Sequence, residues 1–187
     1  VYKAIGVGPG IGTHALTIDA LRQLLSANVA PLVLDADALN ILATEPDGLS
    51  WLPRGSVLTP HPKEFERLAG KSANDFDRLN KLTTFARIYQ VYVVLKGAHT
   101  VIATPEGKCF FNMTGNPGMG KGGAGDILTG MITALLGNGL PVRDAVLLAV
   151  YVHGLAGDIA AEKYGMRGMK SGDIINALGT AWQSLEG

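Results

Sequence analysis

The stretch Gly115–Asp126, GNPGMGKGGAGD, sets six glycines in twelve positions and ends on a carboxylate. Glycine lets a backbone approach a phosphate with no Cβ in the way, and the free N–H groups at a helix start attract an anion. Three phosphate-binding arrangements use such a stretch, and each demands different neighbours. As a P-loop, Gly115–Lys121 matches GxxxxGK, but Gly122 stands where a hydroxyl must ligate Mg²⁺. As a dinucleotide fingerprint, Gly120, Gly122 and Gly125 match GxGxxG, but no strand pattern follows Asp126. The third arrangement fits its context. Ile127, Leu128, Met131, Ile132, Leu135 and Leu136 form one apolar stripe at helical spacing, so the glycines open a buried helix and present its unpaired N–H groups.

Asp126 is the odd residue there, because a carboxylate repels the anion such a site collects. Two roles suit it. It caps the helix, an ordinary use of Asp worth about 1 kcal/mol, or it takes a proton from a hydroxyl that attacks a phosphoryl group. Elsewhere the bland reading leads. Asp35 and Asp37 read as turn and cap groups rather than a metal pair. His61, between two prolines, reads as a turn residue, and Lys96 as a side chain snorkelling from a strand end. His153, on a nearly all-apolar helix, reads as a core histidine bonded to a backbone carbonyl. Cys109, in a hairpin, has no case as a nucleophile.

The elements that must position these residues alternate. Short apolar runs at 2–8, 31–35, 56–60 and 91–97 read as buried strands, and 14–27, 63–70 and 75–90 as helices between them, with a short helix capped by Asp37 running to Ala43. Continuous apolar strands alternating with helices indicate an α/β fold with a mostly parallel sheet covered on both faces. HTVIAT and KCFFN, joined through Pro105–Gly107, read as an antiparallel hairpin at the sheet edge. The last third reads as helices at 124–137, 142–164 and 171–186.

The totals bound the function. A chain of 187 residues, 47% hydrophobic, suits one domain spanning 1–187. Sixteen basic and sixteen acidic residues cancel, so there is no general attraction to nucleic acid or to an acidic membrane surface. The longest apolar run, 145–156, is shorter than the about 20 residues that span a bilayer. A single cysteine excludes an internal disulfide framework and fits a reducing, cytoplasmic location.

GVGPGIG (6–12), LDADALN (34–40), LTPHPKEFERL (58–68), LKGAHTVIATPEG (95–107) and NPGMGKGGAGDILTGM (116–131) occur in an order that resembles the ADP-dependent NAD(P)H-hydrate dehydratases, members of the ribokinase-like superfamily. The resemblance runs from the first residue to about Leu178. It implies a ribokinase-like three-layer fold and a lyase that removes water from the C6 hydrates of NADH and NADPH (NADHX and NADPHX), with ADP as co-substrate and Mg²⁺ as cofactor. Carried over residue by residue, it implies Asp126 as catalytic base and Gly8, Gly10, Gly12 and His61 as substrate contacts. Lys96, Gly97, Ala98, His99 and Thr100 would hold the AMP portion, Gly123, Ala124 and Gly125 the transferring phosphoryl group, and Glu64 would position the Mg²⁺. The family is usually a homo-tetramer, with an epimerase fused or in partnership.

The resemblance also implies further N-terminal strands, so the chain is expected to be an N-terminally incomplete domain. Two departures stand out. Where the family commonly reads Met-Ala-Thr-Gly-Gly, this chain has Met119-Gly120-Lys121-Gly122-Gly123, which places a lysine near the expected phosphates, and Lys63 replaces a usual glycine. The nearest competing expectation is an ATP-dependent kinase of the same superfamily acting on a sugar or hydroxymethylpyrimidine. A non-catalytic domain that senses AMP or ADP is the rival from another class.

Overall fold

Alternating side chains on short strands give the sheet two apolar faces, and each face is covered by its own set of helices. In the computed structural model, which describes residues 3–27 and 31–186, six strands form one sheet in strict chain order. They are β1 (Ile5–Val7), β2 (Leu32–Leu34), β3 (Val57–Leu58), β4 (Tyr92–Leu95), β5 (Val101–Ala103) and β6 (Cys109–Phe111). Tyr2, where the sequence reading starts its first strand, lies outside the described residues. β1 to β4 are parallel, in register through Val7, Leu34, Leu58 and Val93. β4, β5 and β6 are antiparallel, with Ile102 opposite both Val94 and Phe110. The expected hairpin is present, closed by a Gly107 N–H to Thr104 carbonyl bond of 2.8 Å.

Among the described residues seven helices flank the sheet: α1 (Ala15–Ala27), α2 (Ala36–Thr44), α3 (Pro62–Ala69), α4 (Asp75–Tyr89), α5 (Ala124–Gly137), α6 (Val142–Gly168) and α7 (Ser171–Glu186). Leu32, Leu34, Leu58, Val93, Leu95 and Ala103 face a core shared with α1 to α4, including Leu25, Leu42, Phe65 and Phe85. Val33, Val57, Val94 and Ile102 face the other way, onto Leu128, Ile132 and Leu136 of α5 and Val146, Ala149 and Val150 of α6. The period of two along each strand thus builds three layers, helices on sheet on helices. α7 packs on α5 and α6 through Met169, Ile174, Ala177 and Ala181.

Most boundaries fall within a few residues of the sequence reading, and two differences matter. α2 starts two residues early: its N-cap is Asp35, and Asp37 lies in the first turn. α6 passes Gly165, where φ is +69° and the helix breaks, and resumes for one short stretch to Gly168. At 27 residues α6 is long and apolar enough to cross a membrane, but half of its most apolar stretch is buried inside the fold, as expected of a core helix. Two 3₁₀ turns, Gly48–Trp51 and Pro117–Met119, carry no helical periodicity and were not foreseen.

The second of those turns belongs to a loop that lies directly on α6. Thr114 Oγ1 donates to the Tyr151 carbonyl at 2.8 Å, and both oxygens of Asp158 take the loop, from Gly115 N at 2.8 Å and Asn116 Nδ2 at 2.9 Å. Close approach requires α6 to be bare there. A Cβ on Gly154 would stand 2.7 Å from the Thr114 carbonyl carbon and oxygen, and one on Gly157 would stand 2.2 Å from Met119 Sδ. Helix propensity alone favours Ala over Gly by about 1 kcal/mol. Here overpacking against backbone reverses the sign: Gly154→Ala is expected to destabilise by about 1–3 kcal/mol in urea unfolding. An unchanged or raised midpoint would contradict the packing.

Candidate active site

The C-terminal ends of the parallel strands, where ligands bind in open α/β sheets, converge on Asp35. This residue follows β2, is 1% exposed and accepts a bond from the Ala36 N–H at 2.9 Å. Lys96, just past β4, places Nζ 2.7 Å from Asp35 Oδ1, while Thr129 on α5 donates to Oδ2 at 2.8 Å. Thr59, past β3, lies 3.4 Å from the Thr129 hydroxyl. β1 arrives through Gly8, at φ +137°, where a Cβ would fall 1.8 Å from the Asp35 carbonyl oxygen. Lys96 therefore does not simply snorkel, and Asp35 is bound to a cation rather than open to a metal. Asp37 Oδ2 instead accepts from Gly12 N at 2.9 Å and so fixes the first glycine loop.

Above this pair stands the start of α5. Its N-cap is Gly123, φ +89°, with no side-chain cap, so Asp126 is the third residue of the helix and does not cap it. Among the described residues the N–H groups of Gly123, Gly125 and Asp126 make no hydrogen bond, while that of Ala124 reaches the Lys121 carbonyl at 3.3 Å. The Asp126 side chain is exposed, and among the described residues it makes no hydrogen bond or ion pair. Gly125 lies tight against the pair: a Cβ there would stand 3.1 Å from Lys96 Nζ and press on the ammonium. The Lys96 ammonium, the free N–H groups and the helix dipole together favour an anion at this point.

Lys121 corrects the sequence expectation. Its Nζ turns away from the helix start and bonds the carbonyls of Met166 at 3.3 Å, Arg167 at 3.2 Å and Met169. With Ser171 Oγ donating to the Gly122 carbonyl at 2.6 Å, it ties the glycine loop to the α6–α7 junction. It secures the loop and stays out of the cavity wall.

A cavity of about 620 Å³ opens beside the helix start, within the range of small-molecule sites. Lys96 to Thr100 form one side, the loop from Asn112 to Gly120 another, and Ala124, Gly125, Leu128, Val150, His153 and Gly154 the floor. The structure thus joins the expected AMP segment to Ala124 and Gly125. Gly8, Gly10, Gly12, His61, Glu64, Gly123 and Asp126 lie outside this wall.

His61 and Glu64 form a reciprocal cap on α3. His61 Nδ1 accepts from Lys63 N at 3.1 Å and Glu64 N at 3.2 Å, which leaves the ring proton on Nε2, 3.3 Å from Glu64 Oε1. Glu64 Oε2 accepts from His61 N at 2.7 Å. Both oxygens of the buried Glu64 therefore face His61, and the described residues contain no cluster of three or more His, Cys, Asp or Glu side chains that would hold a metal. This donor set does not fit a directly bound cation.

Sequence reasoning missed the floor and its clamp. His153 is the core histidine read from the sequence, with Ala124 as its backbone partner, but its Nε2 is buried and unpartnered, and burial lowers the ring pKa to about 4, with Lys96 acting in the same direction and the Ala124 hydrogen bond opposing. Asp158 and the small residues Gly154 and Gly157 were legible as breaks in an apolar helix, a pattern that marks a contact face. Cys109, in β6, has its thiol pushed up by burial, in keeping with an inert role.

Comparison with known proteins places this geometry. The family model described as NAD(P)H-hydrate dehydratase matches residues 1–179. The bifunctional NAD(P)H-hydrate repair enzyme of Moorella thermoacetica is 45% identical over 184 residues, covering 97% of this chain and 35% of that protein. The structure of the ADP/ATP-dependent NAD(P)H-hydrate dehydratase from Bacillus subtilis, co-crystallized with ATP and Mg²⁺, superposes with a TM-score of 0.85 at 34% identity, over 98% of this chain and 65% of that one. A ribokinase-like superfamily protein from Enterococcus faecalis superposes with a TM-score of 0.78 at 28% identity, over 97% of this chain and 63% of that one. The fold is ribokinase-like α/β. The chain spans about a third of the bifunctional relative and about two thirds of these solved chains.

The buried pair beneath α5 makes a sharp stability test. Removing Lys96 leaves the Asp35 carboxylate buried without its cation, so Lys96→Met is expected to cost about 3–5 kcal/mol in urea unfolding. The double variant Asp35→Leu, Lys96→Met is expected to lose less than the single one. A loss below about 1 kcal/mol for Lys96→Met, the range of exposed pairs, would contradict the assignment.

Proposed function

The chain belongs to the NAD(P)H-hydrate dehydratase family, and on that premise we propose that it converts NADHX or NADPHX and ADP into NADH or NADPH, AMP and phosphate. The observation that carries the proposal is the meeting, on one cavity, of the Lys96–Thr100 segment with the unpaired start of α5, with the exposed Asp126 carboxylate one residue beyond Gly125. Hydroxide is a poor leaving group, and phosphorylation of the C6 hydroxyl makes it a good one. Asp126 takes the hydroxyl proton as the oxygen attacks the terminal phosphorus of ADP. The bond from that phosphorus to the bridging oxygen breaks, and AMP leaves.

The N–H groups of Gly123 and Gly125, with Lys96 beside them, stabilise the charge on the phosphoryl group in transit. Ala124 N assists once released from Lys121. The lone pair of the ring nitrogen then expels phosphate from C6, and loss of the C5 proton restores the double bond. Gly8, Gly10, Gly12 and His61, at the ends of β1 and β3, contact the hydrated dinucleotide, and Gly97, Ala98, His99 and Thr100 hold AMP. Mg²⁺ comes with the nucleotide phosphates, since Glu64 is committed to His61 and reaches the ion at most through water.

We place residues 1–187 in one dehydratase domain acting in the cytoplasm as part of a homo-tetramer. The relative named bifunctional supports an epimerase in the same chain or as a partner. Asp126→Asn is expected to keep ADP binding and lower ADP-driven recovery of NADH by about 10²-fold or more. Rates of the two proteins measured on NADHX decide the point, and an unchanged rate eliminates Asp126 as the base. A nucleotide sensor, by contrast, shows no wild-type turnover.

A further inference from the structure

Building on the reading of the cavity as the nucleotide site, we propose that the imidazole of His153 is a ligand contact, donating a hydrogen bond to a phosphate oxygen of the bound nucleotide. The ring is 9% exposed and lines the cavity floor, and its Nε2 is buried without a hydrogen-bond partner. A buried polar atom left unpaired weakens a fold. One that stands in a ligand cavity is explained by a ligand that satisfies it.

The neighbours define that ligand's chemistry. The Lys96 ammonium bears on the His153 ring, whose backbone partner is Ala124 in the first turn of α5, and Gly125 adds an unpaired N–H on the same floor. Donors and positive charge gathered at one end of a cavity call for an anionic oxygen. A neutral imidazole carries one proton, which either nitrogen can hold, so it donates from whichever side the ligand occupies. Burial keeps this ring neutral down to about pH 4. It therefore adds a donor next to Lys96 without adding a second charge that the empty cavity would have to bear.

The proposal separates from a purely structural histidine by the signs of two effects. Leucine, of similar volume, removes an unsatisfied group from the empty protein and a donor from the complex. His153→Leu is thus expected to unfold at the same or a higher temperature without nucleotide, while binding ADP about tenfold or more weakly, as for loss of a hydrogen bond to a charged group. His153→Gln, which keeps an N–H at similar reach, is expected to recover part of that affinity. In wild type, the imidazole ¹⁵N resonances are expected to move on addition of ADP and not of adenosine.

Calorimetric titration of wild type and both variants with ADP, alongside thermal unfolding, reads all of this. ADP affinity in His153→Leu within about twofold of wild type overturns the proposal, as does an equal loss of adenosine and ADP affinity. Failure of wild type to bind ADP at all overturns instead the reading of the cavity on which the proposal rests.

Discussion

A single buried ion pair, Asp35 with Lys96, sets the geometry of everything around it. The two charges sit between the ends of β2 and β4 and beneath the first turn of α5, with Thr129 completing the carboxylate's bonds. Taking both groups out of water is expensive, and good geometry with extra hydrogen bonds is what offsets that cost. Here the offset needs four separate elements in register, plus a glycine at position 8, where a Cβ would collide with the Asp35 backbone, and one at position 125, where a Cβ would press on Lys96 Nζ. A stability role alone is a weak account of such an arrangement, because apolar residues of similar volume commonly do as well. The electrostatics supply the rest. Lys96 and the positive end of α5 would repel one another if nothing lay near them; Asp35 answers part of that charge from below, and the remainder favours an anion above Gly125.

The second constraint is close packing on α6. Asp158 grips Gly115 and Asn116, and the bare helix surface at Gly154 and Gly157 lets the loop lie flat. One wall of the cavity is thereby fixed to the helix that supplies its floor. Lys121 and Ser171 fasten the next stretch of the same loop to the α6–α7 junction. The start of α5 is held from two sides by contacts distant from any chemistry, which is what a preorganised anion site requires.

Much of this was legible in the residues. Helix limits at 124–137 and 171–186 came out as read because glycine and proline punctuate apolar stripes there. The hairpin and the parallel strands followed from period and flanking turns. What stayed hidden involves partners far apart in sequence. Lys96 and Asp35 are 61 positions apart, and Lys121 reaches carbonyls more than 40 positions on. Neither spacing leaves a local pattern, so Lys96 read as a snorkelling side chain and Lys121 as a lysine near the phosphates. His61 was seen as a turn residue because its role depends on both ring nitrogens being engaged by α3. Glu64 was placed at a metal by resemblance, and its oxygens turned out to face His61.

The central claim is that nucleotide phosphate bound at the start of α5 drives removal of water from the hydrated nicotinamide ring. The most direct measurement is a stoichiometry: NADHX, ADP and the protein are combined, and NADH recovered, AMP formed and phosphate released are counted together. The account expects all three in equal amounts. NADH recovered without phosphate release, or no recovery alongside ATP-dependent phosphorylation of a sugar or hydroxymethylpyrimidine, would contradict it.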